Sequence, residues 1–481
     1  MEEKKIGKRT LLKSGLWYTF SMFLTRAMIF VSMPFFTRVM SEEDYGDFSV
    51  FATWQTILFI ICSLELSGTL NRARFDYTDK KDFHAYITSC LYLNTIITGV
   101  LFIAYLVFPH VFDRFFLLDR KYIYVMFAYL FAEPASFMFV TKQRIEYKYK
   151  ISSAISITVA VFSPLIAIFL VLMMRDHDPL FGRIIGQNIL YILFGIVFFA
   201  YFLSKSTKLS VKYWKYAMRL GLPLVISYLG SRILLSSDNI VLKQMCSATQ
   251  VSYLSVTHTC SQIALLLVQT LNSAWSPWFY DMLKRDNYKS IKNIYEKYIL
   301  LVILLTAMVL LIGPEVIMIL GGSKYRASVY ILPPTILCGV FTVFTAQFVD
   351  LETYHKKPEY AAFITGGVAV LNVILNILGV KLWGYQAVCY TTVVCQIVLI
   401  AAHYLITQRM RAKDILSFNV LVKTLSAALM LIPISLLLYQ NDIVRYIFIA
   451  VIFSATVILA VRKREDIKMI VNRIVKQKKE S

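Results

Sequence analysis

The sequence predicts an all-α polytopic membrane protein of about 14 transmembrane helices, with two six-helix lobes related by an axis along the membrane normal and two C-terminal helices. Three observations lead to this prediction: the composition, the length of the apolar stretches and the placement of the basic residues. Of the 481 residues, 58% are hydrophobic and only 16% are charged. An ordinary soluble domain carries about 25% charged residues, so the composition excludes a soluble core of this size.

Apolar stretches of about 20 residues recur along the chain, the length that crosses about 30 Å of hydrocarbon at about 1.5 Å per residue. Each stretch must be helical, because an open strand facing lipid would leave backbone polar groups without hydrogen bonds. The predicted centres in chain order are Ile29, Ile57, Thr95, Leu130, Phe162, Ile192, Gly230, Leu265, Leu310, Val340, Val370, Val394, Leu429 and Phe453.

These spans and the charged segments between them divide the chain into six parts. We predict a cytoplasmic N-terminal segment (1–13), an N-lobe of spans 1–6 (14–204), a cytoplasmic linker (205–219), a C-lobe of spans 7–12 (220–408), spans 13–14 (418–461) and a basic cytoplasmic tail (462–481). Apolar residues of the tail lie on one helical stripe, which predicts an interfacial helix on the inner leaflet.

Basic residues are concentrated on alternate loops, namely residues 1–13, 71–82, 142–150 and 205–219. Cytoplasmic loops show this excess, so we expect both termini to face the cytoplasm. The net charge of +21 then faces anionic membrane lipids. Without a basic soluble domain it does not indicate nucleic-acid binding. The first span lacks a small-residue cleavage site, so we expect it to be retained.

Other reactive residues do not indicate an enzyme. The seven cysteines lie in or at the ends of apolar spans, without zinc-binding spacing, and are typical of small core hydrophobes. The histidines His84, His258 and His403 have no carboxylate or second histidine one helical turn away. The predicted outer loops are too short for the acceptor site of a polymerase, ligase or glycosyltransferase. We therefore predict no catalytic residues, no metal site and no cofactor.

Residues 15–50 align with residues 221–256 without a gap and form an internal repeat. Matching pairs include Gly15 with Gly221, Ser21 with Ser227, Arg26 with Arg232, Ser41 with Ser247 and Val50 with Val256. Spans 1 and 7 both run from inside to outside. The repeat therefore predicts two lobes related by an axis along the membrane normal, with a site between them.

The repeat places one arginine, Arg26 or Arg232, at the middle of the first span of each lobe. Arg26 is roughly 18 Å from the inner end of its helix, too deep to reach a headgroup layer, and an intramembrane charge costs at least about 2.5 kcal/mol. One interpretation is a structural ion pair, Arg26 with Glu65 or Arg232 with Asp238. The other is that both guanidinium groups bind an anionic substrate group such as phosphate. Both hold if substrate replaces the acidic partner.

Buried carboxylates are candidates for a second kind of site. Asp238 and Glu65 are the better candidates for binding a cation or proton, because a charge that moves through the membrane potential carries about 2.3 kcal/mol per 100 mV. Transport would then be coupled to an H⁺ or Na⁺ gradient or to the membrane potential. The remaining charges in the spans are Glu133, Arg183, Glu315, Asp350 and Lys423. Several of them lie near span ends, where a side chain can reach the interface.

Three segments resemble a known family, the Wzx-type oligosaccharide and polysaccharide flippases of the multidrug/oligosaccharidyl-lipid/polysaccharide (MOP) exporter superfamily. They are Pro34–Gly46, Gly221–Ser227, and Leu371–Asn376 with the Gly384 and Ala387 that follow. Asn372 and Asn376 share one helix face as a polar pair at i and i+4. Gln386 stands where the family often has a second glycine.

The resemblance implies a MATE-like fold and a flippase without enzymatic activity. Its implied substrate is a polyprenyl-diphosphate-linked oligosaccharide repeat unit, moved by alternating access past Arg26 and Arg232 for assembly of O-antigen, capsule or exopolysaccharide. Its implied partners are the polysaccharide polymerase and glycosyltransferases of the pathway. Two alternatives stay open: a peptidoglycan lipid-precursor flippase, and a multidrug or cation antiporter of the same superfamily. The second is disfavoured, because organic cations require an acidic and aromatic cavity.

Overall fold

The computed structural model describes residues 8–355, 359–409 and 418–462. Within these ranges the regular structure is helical and contains no strand, which confirms the all-α prediction. The helices are α1 (Lys8–Val39), α2 (Glu42–Ser63), α3 (Leu66–Asp76), α4 (Lys80–Val107), α5 (Pro109–Phe116), α6 (Arg120–Ile145), α7 (Tyr149–Met173), α8 (Pro179–Lys205), α9 (Val211–Met245), α10 (Ala248–Lys284), α11 (Tyr288–Leu320), α12 (Leu332–Tyr354), α13 (Glu359–Trp383), α14 (Ala387–Arg409), α15 (Phe418–Leu438) and α16 (Asp442–Arg462).

Among the described residues, 13 helical segments are long and apolar enough to cross a membrane. They correspond to the first thirteen predicted spans, and α2 and α3 together form one of them, Glu42–Asp76. The multi-pass membrane fold is therefore confirmed. The predicted fourteenth span falls on α16. Residues 1–7 of the predicted N-terminal segment and residues 463–481 of the predicted basic tail lie outside the described residues.

Helix ends follow the internal repeat. Val39 and Met245, which are equivalent in the alignment, end α1 and α9, and the equivalent Glu42 and Ala248 begin α2 and α10. The hydroxyl of Ser41 caps α2 by accepting a hydrogen bond of 3.0 Å from the backbone N–H of Asp44. Side-chain caps of this kind pair amide groups that have no partner inside the helix. The turn residues of the sequence therefore set the start of the second helix of the repeat.

The second span breaks between α2 and α3, where Leu64 and Glu65 have φ values of 45° and 50°. Side chains with a Cβ rarely adopt this left-handed conformation, at a cost of roughly 1–2 kcal/mol per residue. The Leu64 carbonyl packs against Gly221 of α9, where a Cβ would approach it to 2.7 Å. Glycine is therefore required at residue 221, because its small size allows the broken span and α9 to approach this closely.

The described helices form two compact units. Unit 1 comprises the described residues of Met1–Val256, Ile319–Tyr325 and Lys356–Leu399. One of its cores contains fully buried Leu66, Tyr86 and Phe202, and α9 packs along α13 with Gly230 close to Gly366. Unit 2 comprises the described residues of Thr257–Met318, Arg326–His355 and Ile400–Ser481. In it the Tyr439 hydroxyl donates to the Leu310 carbonyl at 2.6 Å. The lobe boundaries expected from the sequence stay a prediction.

Candidate functional site

A buried polar cluster lies inside unit 1, where α9, α13 and α14 meet. Asp238 of α9 is 2% exposed, and Asn372 and Asn376 of α13 are both 0% exposed. Thr392 of α14 is also buried. The two asparagines lie one turn apart on α13, so both side chains point to the same neighbouring helices. The structure therefore brings three of the predicted site residues, Asp238, Asn372 and Asn376, into one cluster.

Hydrogen bonds join the members of this cluster. The amide of Asn376 donates to Oδ1 of Asp238 at 2.6 Å, and the hydroxyl of Thr392 donates to Oδ2 at 3.3 Å. Asn372 donates to Thr392 at 3.0 Å and accepts from Asn376 at 3.2 Å. Thr391 donates to the side-chain oxygen of Asn376. Each side chain thus fixes the orientation of the next.

The cluster supplies the ligands that hard cations require. It holds one carboxylate, two amide oxygens and two hydroxyls, and no basic side chain among the described residues pairs with Asp238. Oxygen ligands of this kind bind hard cations, which have no d-electron preference for a particular geometry. A proton would instead bind to the carboxylate and neutralise it. A rotation of either amide would replace its NH₂ group with its oxygen. The cluster can therefore accommodate either a monovalent cation or a proton.

The second predicted group, Arg232, lies half-buried on α9 of unit 1. Its Nη2 donates to the Thr56 hydroxyl of α2 at 3.3 Å, and its Nε has no hydrogen-bond partner within the described part of the chain. Asn239, further along α9, donates to Thr53 of α2 at 3.0 Å. Hydroxyl and amide groups of both helices therefore line the α2–α9 contact at the Arg232 guanidinium and further along α9.

The ion pair between Arg232 and Asp238, one of the two interpretations of the sequence, is not formed between these two described side chains. Six residues of α-helix separate them, which rotates them roughly 120° apart around α9 and about 9 Å apart along it. Arg232 therefore contacts α2, whereas Asp238 contacts α13 and α14.

The other ion pair of that interpretation, between the described side chains of Arg26 and Glu65, is also not formed. In the hairpin of α1 and α2, residues near Thr56 are level with Arg26, and Glu65 is about ten residues further along, roughly 15 Å away. Arg26 is half-buried on α1. Glu65 is half-buried in the break between α2 and α3 and is not part of the Asp238 cluster.

Arg183, one of the charges that the sequence places within the spans, is enclosed by aromatic side chains. Arg183 of α8 is only 7% exposed. Its guanidinium carbon lies 4.2, 4.4 and 3.7 Å from the ring centroids of Phe36, Tyr45 and Phe48. These three residues lie more than a hundred positions earlier in the chain, so no local pattern could have revealed the cage.

The first turns of α2 and α10, equivalent in the repeat, contact each other within unit 1. A Cβ on Gly46 would overlap the backbone of Ala248, so only glycine fits there. Next to this contact, Lys243 forms a 2.5 Å ion pair with Asp47. We call the group of Gly46, Asp47, Lys243 and Ala248 the outer contact, because the loop charges predict that it faces away from the cytoplasm.

The outer turn between α13 and α14 is closed despite Gln386. Gly384 has φ 78°, a conformation that side chains with a Cβ disfavour, and its amide donates to the Val380 carbonyl at 3.0 Å. One glycine is therefore enough to close this turn.

Thirteen candidate spans among the described residues, arginines within spans and a buried polar cluster define a multi-pass membrane protein. The family model described as polysaccharide biosynthesis protein matches residues 11–283. The chain belongs to this family.

Two relatives come from Haemophilus influenzae. One, a protein of the Lsg locus, is 24% identical over 346 residues, covering 68% of this chain and 82% of the relative. The other, an uncharacterised membrane protein, is 22% identical over 426 residues, covering 84% of this chain and 99% of the relative.

Solved structures confirm the fold. An inward closed structure of the lipid II flippase MurJ matches with a TM-score of 0.67 at 15% identity, covering 94% of this chain and 100% of that chain. An inward-facing multidrug resistance MATE family transporter of the MOP superfamily matches with a TM-score of 0.62 at 15% identity, covering 81% and 95%. The MATE-like fold is therefore confirmed, and the family and fold are those of transporters and flippases.

Proposed function

We propose that the protein is a flippase that moves polyprenyl-diphosphate-linked oligosaccharide repeat units across a bacterial cytoplasmic membrane by alternating access. The glycan would be used for O-antigen, capsule or exopolysaccharide, and the termini would be cytoplasmic. The observation that carries the proposal is Arg232, an intramembrane guanidinium with an Nε that has no partner among the described residues, in a chain of the polysaccharide biosynthesis family.

The chemistry of Arg232 suits a diphosphate. A guanidinium offers planar donors that match two phosphate oxygens. The interaction between guanidinium and phosphate is stronger where water is excluded. The Thr56 hydroxyl holds only Nη2 of Arg232, at 3.3 Å, which leaves other donors for a ligand. Arg26 occupies the equivalent position of the repeat, and we propose that it contributes to the same anion site in another step of transport.

A polar path is also what the glycan requires. Unaided transfer would strip water from each sugar hydroxyl, at a cost of about 1–3 kcal/mol for each group left unpaired in a protein. Thr53, Thr56 and Asn239 line the α2–α9 contact and offer replacement hydrogen bonds. The polyprenyl tail would remain in the lipid, where it loses no contact with water.

We further propose that the Asp238 cluster couples transport to an H⁺ or Na⁺ gradient or to the membrane potential. Asp238 is almost fully buried without a basic partner among the described residues, so a bound cation or proton would remove the cost of burying its charge. Glu65 lacks such a cluster and is the weaker candidate. Anionic lipids, the polysaccharide polymerase and the glycosyltransferases of the pathway are the proposed partners.

One alternative is supported by a specific likeness. The structure with the TM-score of 0.67 is a lipid II flippase, and a peptidoglycan lipid precursor would present the same diphosphate to Arg232. A multidrug or cation antiporter is less consistent with arginines at the middle of two spans, because organic cations are repelled by them.

Deletion of the gene in its host tests the proposal. We expect surface polysaccharide to be lost and lipid-linked repeat units to accumulate on the cytoplasmic face, with rescue by the wild type. Arg232→Ala should not rescue, whereas Arg219→Ala, an exposed arginine of the same helix, should do so. Unchanged polysaccharide with an altered sensitivity to organic cations would contradict the proposed substrate. Arrest of peptidoglycan synthesis instead would favour the alternative.

A further inference from the structure

Unit 2 contains a buried pair of titratable side chains, Glu352 on α12 and His403 on α14. Nδ1 of His403 lies 2.7 Å from Oε1 of Glu352, and both side chains are 0% exposed. Oε2 of Glu352 and Nε2 of His403 have no hydrogen-bond partner in the part of the chain that the structure describes. The pair is therefore isolated from water and depends on its one mutual contact.

Other titratable groups around the pair do not compensate its charge. The titratable groups nearest to the pair along α12 and α14 are Asp350, Tyr354, Tyr404 and Arg409. From neighbouring helices, Tyr280 of α10 contacts Asp350 and Tyr354, and α15, which packs against α12, carries Lys423. Asp350 accepts hydrogen bonds from two hydroxyls of α10, and Lys423 is exposed. Among the described residues, only His403 forms an ion pair with Glu352.

The net charge of the pair depends on how many protons it holds. With no proton to share, an ionised glutamate faces a neutral imidazole and the net charge is negative. With two protons the net charge is positive. With one proton the pair is neutral, whether the proton lies on the carboxyl or on the ring. Burial of a net charge costs several kcal/mol, so the closed structure requires one proton.

The position of the pair determines where this proton comes from. Glu352 is close to the C-terminal end of α12 at Tyr354, and His403 lies in the last two turns of α14, which ends at Arg409. The distribution of basic loops predicts that these ends face the cytoplasm. Because the pair is fully buried, its proton exchanges with cytoplasmic water only when these helix ends separate.

We propose that Glu352 and His403 form a proton-binding site that holds the cytoplasmic ends of α12 and α14 together when it carries one proton, and releases them when the proton is lost. The proposal concerns unit 2 alone and does not depend on the substrate or on the Asp238 cluster. It assigns to these residues a role that no local sequence pattern indicates, because 51 positions separate them in the chain.

Thermal unfolding of the purified full-length protein, without substrate, tests the proposal. Between about pH 7 and about pH 9, above the ordinary range of histidine, we expect the Tm of the wild type to fall by at least about 2 °C, because the closed pair must keep a proton that the unfolded chain releases. Glu352→Gln should abolish this dependence, because a glutamine and a neutral histidine need no proton. Glu296→Gln, an exposed glutamate of α11, is the matched control and should behave as the wild type.

Identical pH profiles for the wild type and Glu352→Gln would overturn the proposal and leave a purely structural pair. If Glu352→Gln does not fold, amide hydrogen exchange of the wild-type protein tests the proposal instead. After correction for the intrinsic exchange rate, amides in the last turns of α12 and α14 should exchange at least tenfold faster at the alkaline pH. This corresponds to a decrease of about 1.4 kcal/mol in the free energy of local opening. Equal protection at both pH values would overturn the proposal.

Discussion

Two buried charges of unit 1 are stabilised in opposite ways. Asp238 and Arg183 are 2% and 7% exposed, and neither forms an ion pair with another described residue. Asp238 accepts hydrogen bonds from the amide and hydroxyl groups of Asn376 and Thr392. Arg183 is surrounded by three aromatic rings and a methionine sulfur.

The two sites differ in the number of states of the buried charge that the surrounding groups can stabilise. Amide and hydroxyl groups can donate hydrogen bonds to a carboxylate or, after rotation, coordinate a bound cation through their oxygens, so the neighbours of Asp238 can stabilise two states. Aromatic rings offer only their negative faces, so the neighbours of Arg183 suit a guanidinium and nothing else. We therefore infer that Asp238 lies in a site that exchanges its occupant, whereas Arg183 is a fixed structural cation.

Replacement of Asp238 should have the largest effect on transport. In Asp238→Ala we expect ion-driven translocation to fall by roughly 5- to 150-fold, the range of typical coupling energies, because no carboxylate remains to bind the ion. The measurement is transport into vesicles with and without an imposed H⁺ or Na⁺ gradient. Gradient dependence that survives in a well-folded Asp238→Ala protein would remove the distinction between the two buried charges.

Replacement of Arg183 should affect stability and leave coupling intact. We expect Arg183→Ala to lower the free energy of unfolding by about 2 kcal/mol or more, because the cation–π contacts and the packing of the guanidinium are lost together. Arg183→Met should lose less, because an apolar side chain of similar length fills the cage. Unfolding in detergent measures both variants. A stable Arg183→Ala protein without gradient dependence would mean that Arg183 belongs to the ion site.

Asn376 tests whether the neighbours of Asp238 matter. Its amide lies 2.6 Å from Asp238, and a hydrogen bond to a charged group contributes about 1.5–3 kcal/mol. Asn376→Ala should therefore weaken ion-dependent transport, but by less than Asp238→Ala does, because the carboxylate that binds the ion remains. Asn293→Ala, at an exposed position on α11, is the control. Equal transport by both variants would show that Asp238 acts without the cluster.

Asp178 provides a reference for a charge near water and should give the smallest effect. Its carboxylate caps α8 through the Phe181 amide at 2.9 Å and pairs with Lys121. Burial works to raise the pKa of Asp178, but hydrogen bonds from Lys121, Phe181 and Tyr122 outweigh it and hold the pKa below its ordinary value. This contribution to stability is present above about pH 4 and is lost as the pH falls through the lowered pKa.

In Asp178→Ala we therefore expect a loss of about 1 kcal/mol at neutral pH, the usual value of a helix cap, and a smaller loss near pH 3. Thermal unfolding at the two pH values measures it. A loss that is the same at both pH values would mean that the charge of Asp178 does not contribute.

Apolar periodicity and charge predicted the helical membrane fold, because each span must be apolar over its whole length. This property can be read directly from any stretch of about 20 residues of the sequence. The helix ends of α1 and α9, and the starts of α2 and α10, fall at equivalent positions of the repeat. The asparagine pair on α13 was visible because both residues lie on one helix. Its partner Asp238 was found only as a buried charge, because no pattern joins residues 138 positions apart. The ion pairs that one interpretation proposed for the two arginines are not formed among the described side chains, because sequence spacing does not report depth or helix rotation.

Translocation by the purified protein tests the central claim most directly. The protein would be reconstituted in vesicles with a fluorescent polyprenyl-diphosphate-linked oligosaccharide, and the fraction of headgroups accessible to an external quencher would be measured. We predict that the wild type moves the lipid-linked glycan across the bilayer, faster with an imposed ion gradient, and that Arg232→Ala does not. A wild-type protein that folds and leaves the lipid in its original leaflet under every gradient would contradict the account.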